Sequence, residues 1–155
     1  MLRVGDALNL HATTLVVGEA GVLIRGPAGI GKTRLALAIV EDARREGRFA
    51  AIVADDRSLV RRHGDRLVAR PHPAVTGLVE RRGLGVESTE HEPACVLALA
   101  VDLVEGWPER MPDPEAQHCM VGGITLPRLA VAREAATPDA VALISADLAC
   151  RAGLA

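Results

Sequence analysis

Apolar positions in this chain fall in short runs separated by glycine, proline and charge, and the runs differ in kind. Thr13–Val17 is β-branched and apolar, and Val22–Ile24 repeats the pattern after Gly18-Glu19-Ala20-Gly21, which predicts a hairpin-like strand pair. The second run leads directly into a glycine-rich loop. From Thr33 to Arg45 good helix formers dominate, and Gly47 is a suitable stop. Ala50–Ala54 is continuously apolar and ends in Asp55-Asp56, as a buried strand would. Ser58–Val60 and Arg66–Ala69 flank His63-Gly64-Asp65, a second hairpin signal. Pro71 and Pro73 precede a short apolar stretch, Ala74–Val79, that is expected to be helical, and a glycine-containing loop follows over Glu80–Val86. Cys95–Val104 reads as another long buried strand, and Pro108, Pro112 and Pro114 mark an extended, mobile loop. Gly122–Val131 is expected to be a strand pair or edge, and Pro138–Arg151 a closing helix. Strand, loop, helix and strand with interspersed hairpins predict an α/β core with a mixed sheet.

A length of 155 residues suits one domain with a proper core. The formal net charge of −2 offers no global basic field, so nucleic acid is not an expected partner. Arginines at 44, 45, 48, 57, 61, 62, 66, 81 and 82 are nevertheless concentrated in the middle of the chain. Such runs are usually solvated surface, and the alternative is a basic rim around a phosphate site. Cys95, Cys119 and Cys150 have neither metal-ligand spacing nor an even count, and all three are expected to be buried packing residues. No signal sequence opens the chain and no run approaches the ~20 apolar residues that span a bilayer, so a cytoplasmic protein without membrane contact is expected. Phe49 and Trp107 are the only aromatics, which points to a site that grips phosphates more than bases.

Gly26-Pro27-Ala28-Gly29-Ile30-Gly31-Lys32-Thr33 matches G-x-x-x-x-G-K-[ST], whose parts are chemically coupled. Its glycines let successive N–H groups turn toward phosphate oxygens, and the helix that follows adds its positive end. Lys32 would reach the β- and γ-phosphates, and the Thr33 hydroxyl would meet Mg²⁺. An apolar strand before the loop and a strong helix after it satisfy the context the motif requires.

Asp55-Asp56 ends the apolar strand that follows that helix, beside the nucleotide phosphates in P-loop folds. Successive strand residues point to opposite sides, so the two acids suit two jobs. One would serve the metal and the other would accept a proton from an attacking hydroxyl.

Three stretches together carry a resemblance: Val22–Thr33, Val53-Ala-Asp-Asp-Arg57, and Leu78-Val-Glu-Arg-Arg-Gly-Leu-Gly-Val86. The chain resembles the catalytic domain of HPr kinase/phosphorylase over about His11 to Arg128, in the short single-domain form, with L-E-x-R-G-L-G as the most diagnostic element. The resemblance implies a P-loop fold with a mixed sheet, related to phosphoenolpyruvate carboxykinase, and a homo-oligomer. It implies ATP and Mg²⁺ as cofactors and a serine of the phosphocarrier HPr as acceptor, with possible reversal by phosphorolysis. His11, which alone would read as structural, then matches a histidine that orients the acid pair. One of Asp55 and Asp56 is the base, with Asp55 favoured and Asp56 left to the metal. Glu80 matches a magnesium-associated glutamate, and Arg110 is similar to an arginine that would neutralise developing charge. No P-G-R-N-like stretch occurs near the C-terminus, which leaves the phosphorylase half and the usual hexamer open. A small-metabolite P-loop kinase and a non-catalytic nucleotide-binding module are the two alternatives.

Overall fold

The computed structural model describes residues 2–4 and 6–153. In chain order the strands are β1 (Leu2–Val4), β2 (Ala7–Leu10), β3 (Ala12–Val17) and β4 (Ala20–Arg25), followed by helix α1 (Lys32–Arg45). Then come β5 (Ala50–Ala54), β6 (Ser58–His63), β7 (Arg66–Pro71), β8 (Leu78–Arg81), β9 (Gly85–Ser88) and β10 (Cys95–Val104). β11 (His118–Val121), β12 (Ile124–Ala132) and helix α2 (Thr137–Arg151) complete the chain.

One curled sheet runs in the order β1-β2-β6-β7-β10-β4-β3-β5, with β12 on β10 and β11 on β12, while β8 and β9 pair separately. It is mixed: β10 lies parallel to β4 and β12 but antiparallel to β7. Both faces of its centre are covered, which is why β3 and β5 are continuously apolar instead of alternating. Neighbouring residues divide between two cores. Leu15, Val22, Ile24, Leu99 and Val101 meet α1 and α2 through Leu35, Ile39 and Ile144. Val16, Leu23 and Val53 face the other way, toward Val60, Leu67 and Leu126. In α1 the buried set Leu35, Ala36, Ile39, Val40 and Ala43 recurs at helical spacing, giving one apolar stripe.

The β3–β4 and β6–β7 hairpins, α1, β5, β10 and α2 form where their patterns predict. Ala74–Val79 is not a helix. It holds a single 3-10 turn over Pro73–Val75 and then enters β8, because Gly77 takes a left-handed φ of 70° and Val79 is drawn into the helix-side core. Glu80–Val86 is likewise a hairpin, β8–β9, and not a free loop. The β11–β12 ladder starts at His118, four residues before the expected Gly122, which forms the turn with Gly123. Of the cysteines only Cys95 is buried; Cys119 is half-buried and Cys150 exposed. Burial pushes the Cys95 thiol up to about 12, which keeps it an inert packing group. No helix among the described residues is long and apolar enough to cross a membrane.

Gly21 marks a close approach of β4 to β10. A Cβ built there would lie 2.5 Å from the Val96 carbonyl oxygen and 2.7 Å from Cys95 Sγ. Backbone cannot yield as a flexible side-chain tip does. Gly21→Ala is therefore expected to destabilise the protein by roughly 1–3 kcal/mol, lowering Tm by about 2–10 °C. An unchanged melting curve would contradict this packing of β4 against β10.

Candidate active site

Three strand ends meet at one edge of the sheet. β3 runs antiparallel to β4 and β5, with Ala12 opposite Arg25, Thr13 opposite Ile24 and Thr14 opposite Ala54. The start of β3 therefore lies where β4 and β5 finish. His11, the loop of residues 26–31 and Asp55-Asp56, far apart in sequence, come together for that reason.

The loop turns on glycine. Gly29 and Gly31 have φ of 76° and 111°, a region that residues bearing a Cβ rarely enter. Gly31 is the N-cap of α1 and no side chain caps the helix, so its first N–H groups are left for an anion. Nothing lies within 4 Å of a Cβ built on Gly31, which leaves open space over the loop. Gly26, Pro27, Ala28 and Gly29 form the rim, while Ile30 is buried and anchors the loop in the helix-side core. Lys32 is almost fully buried. Its Nζ donates to the carbonyl oxygens of Gly26 (2.9 Å) and Pro27 (3.1 Å) and stands 3.9 Å from Asp56 Oδ1.

The two acids have different surroundings. Asp55 is buried, 5% exposed, and accepts hydrogen bonds from the hydroxyls of Thr33 (2.6 Å) and Thr13 (3.0 Å) and from the Glu80 N–H (3.0 Å). Asp56 is turned out to solvent and meets His11 Nε2 at 2.6 Å. The turn comes from the backbone. Asp56 has φ 64°, the only positive value outside glycine among the described residues, and the Thr13 hydroxyl accepts from its N–H. Aspartate tolerates this left-handed region better than most residues. The histidine expected to orient the favoured base Asp55 thus stands on Asp56, because Asp55 points inward and is buried.

Glu80 reaches the site through its backbone, while its side chain stays exposed. The chain just after the β8–β9 hairpin that carries it is moored to β5 by a bridge between Ile52 and His91. Arg82, from the same hairpin, overhangs the loop: its Nη2 lies 3.9 Å from a Cβ built on Gly29. In the sequence Arg82 belongs to a basic stretch and to the L-E-x-R-G-L-G element, without a role of its own. Arg110 is exposed in the segment after β10 and has no hydrogen bond or ion pair to His11, Asp55, Asp56 or Lys32 among the described residues. The structure does not bring it into this cluster.

The donor set tests the fit to a magnesium nucleotide. Thr33 and Asp55 offer hard oxygens beside the loop, whereas Glu80 brings only its backbone N–H to Asp55 and keeps its carboxylate exposed. Mg²⁺ is commonly held by one or two carboxylates plus substrate phosphates, so this sparse set fits it.

A second ionic cluster was missed because its members lie 77 and 26 residues apart. Arg25, immediately before the loop, donates from Nε and Nη2 to Asp102 at 2.7 and 2.9 Å, and Arg128 Nε donates to the same carboxylate at 2.5 Å. Burial pushes the Asp102 carboxyl up, but the hydrogen bonds and charges of Arg25 and Arg128 outweigh it and hold the group below the usual aspartate range. The Asp102 hydrogen bond in turn raises Arg25. A depressed folded-state pKa contributes stability above the unfolded value near 4, and that stability is lost as pH falls through the folded value. Asp102→Asn is expected to cost about 3 kcal/mol at pH 7, the low end for removing one partner of a buried pair, since these groups are only partly buried. The gap from wild type should narrow below about pH 4 in urea unfolding. A gap that stays constant down to pH 3 would show that the carboxylate charge is not what matters.

A glycine-curled strand-to-helix turn with an inward lysine and two divergent carboxylates defines a P-loop domain with a phosphate-type site. Residues 3–91, more than half the chain, match the family described as HPr Serine kinase C-terminal domain, and the chain belongs to that family. The HPr kinase/phosphorylase of Neisseria meningitidis serogroup C is 35% identical over 109 residues, covering 65% of this chain and 32% of that protein. The one from Mycoplasma mycoides is 32% identical over 76 residues, covering 49% and 22%. The chain thus spans a third or less of the length of these relatives. The Hpr(Ser) kinase/phosphatase structure from Coxiella burnetii superposes with a TM-score of 0.72 at 24% identity, covering 90% of this chain and 95% of that one. The mixed α/β fold is therefore that of the HPr kinase catalytic domain.

Proposed function

We propose that this chain works as a single catalytic domain, transferring the γ-phosphoryl group of ATP to a serine hydroxyl of an HPr-type phosphocarrier protein. The observation that carries the reading is the His11–Asp56 pair standing 3.9 Å from Lys32 at the mouth of the phosphate loop. Bound Mg²⁺ supplies charge neutralisation on the β- and γ-phosphate oxygens. Loop amides and Lys32 hold those phosphates, and Thr33 and Asp55 are the residues that would hold the metal. Asp56, solvent-facing and braced by His11, takes the proton from the serine hydroxyl. The serine oxygen bonds to the γ-phosphorus as its bond to the bridging oxygen breaks, and ADP leaves with that electron pair. Arg82 over the loop is suited to steady the transferring oxygens, a role the sequence reading gave to Arg110.

In reverse, a phosphate oxygen attacks phosphoserine, and protonated Asp56 returns its proton to the serine oxygen, leaving pyrophosphate. The enzyme would act in the cytoplasm, as a homo-oligomer. The decisive experiment combines the purified protein, Mg²⁺, γ-labelled ATP and the HPr-type carrier of the same organism, followed by phosphosite mapping. Label on a carrier serine supports the proposal. ATP binding with no transfer to that carrier overturns it in favour of a metabolite kinase or a silent module.

A further inference from the structure

The phosphate loop is held at its two ends by unlike means. Between Arg25 and Ile30 no side chain anchors it: Gly26 and Gly29 have none, and Pro27 and Ala28 are exposed. Ile30 fixes the far end by burial in the helix-side core. The near end rests on Arg25, the last residue of β4, whose Nε and Nη2 donate to the two oxygens of Asp102 at 2.7 and 2.9 Å. Two parallel bonds from a planar fork fix direction as well as distance.

Asp102 is itself held. It lies opposite Arg25 in the parallel register of β4 and β10, and Arg128 of β12 donates to Oδ2 of the same carboxylate. Arg128 also donates to the Ala116 carbonyl oxygen, so three strands and the segment before β11 share one fastening. Taking such charges partly out of water is costly, and replacing a buried ionic set by apolar residues is often neutral or stabilising. Cohesion alone therefore does not account for it. What a two-pronged pair adds is a fixed geometry where the loop begins.

Gly26 follows at once, with φ 153°, and is pressed against β10: a Cβ built on it would lie 3.0 Å from the Leu103 carbonyl oxygen. Its own carbonyl oxygen accepts from Lys32 Nζ at 2.9 Å. Contacts thus run from Asp102 through Arg25 and Gly26 to the ammonium, whose third N–H is the one left for a phosphate. We propose that Arg25 is a positioning residue of the phosphate loop: locked by Asp102 and Arg128, it sets the Gly26 carbonyl and, through it, the direction of the Lys32 ammonium. The inference rests on the reading of this loop as a nucleotide phosphate site.

Arg25→Lys keeps a cation on Asp102 but not the fork, and Asp102→Glu keeps the charge but moves it by one methylene. Each is expected to weaken MgADP binding to the full chain, measured by calorimetry, about tenfold, the worth of one net hydrogen bond. Val60→Ala, which removes buried methyl groups in the other core, is the control for stability: its Tm should fall at least as far, with MgADP affinity unchanged. Since Arg25 acts through Lys32, the loss caused by Arg25→Lys should vanish in a Lys32→Ala background. Wild-type affinity in either Arg25→Lys or Asp102→Glu, an equal loss in Val60→Ala, or an Arg25→Lys loss that persists without Lys32 overturns the proposal. Failure of the wild-type chain to bind MgADP is a separate result: it removes the nucleotide site itself, and this inference with it.

Discussion

Asp56→Asn is expected to bind MgATP within a few-fold of wild type yet to transfer phosphate ~10²–10⁴-fold more slowly, the usual worth of a positioned general base. Asparagine keeps the shape and can still meet His11, so what is lost is the capacity to take a proton. Asp55→Asn should behave differently. Asp55 already accepts three hydrogen bonds, two from hydroxyls and one from the Glu80 N–H, and at 5% exposed it faces away from the solvent side from which a serine would come. Its neutralisation should disturb Thr33 and the approach of β8, and so weaken Mg²⁺-dependent nucleotide binding more than the chemical step. Single-turnover rates at saturating MgATP, set beside nucleotide affinities with and without Mg²⁺, separate the two. Should Asp55→Asn retain binding and lose turnover while Asp56→Asn does not, the roles are reversed. His11→Gln is an internal control: it keeps a donor to Asp56, so it should lower the single-turnover rate far less than Asp56→Asn while leaving nucleotide affinity unchanged.

The division between these acids shows where sequence reading stops. That two adjacent carboxylates at a strand end have separate jobs follows from the alternation of a strand. Which acid faces solvent does not, because it depends on the left-handed φ of Asp56, and that turn rests on Thr13 from a strand some forty residues earlier. The P-loop and its flanking strand and helix were legible because every determinant is local. Burial on both faces was legible in β3, β5 and β10 as continuous apolar runs. The segment from Ala74 to Val86 misled for the opposite reason: its local composition is weakly helical or loop-like, and it is a hairpin because Val79 packs under α1 and His91 pairs with Ile52. The same holds for Arg25, Asp102 and Arg128. Each is an unremarked charge in sequence, and only the parallel register of β4, β10 and β12 makes them one unit.

Lys32→Ala is expected to lower phosphoryl transfer by at least ~10²–10³-fold, the scale for deleting one preorganised donor to developing charge. The larger loss here would come from the loop itself. An ammonium has three donors. Two of those on Lys32 are spent on the Gly26 and Pro27 carbonyls, which ties the start of the loop to the first residue of α1. The third is left for phosphate, on the side where Asp56 stands 3.9 Å away. Alanine removes both the clamp and the charge, so affinity for ATP and turnover should fall together. Lys32→Arg separates the two contributions. It restores a cation, but a planar fork cannot reproduce a compact ammonium between two carbonyls in a site only 5% exposed. Turnover in Lys32→Arg should therefore stay near that of Lys32→Ala. Recovery to within a few-fold of wild type would mean that charge alone is required and that the carbonyl clamp contributes nothing to catalysis.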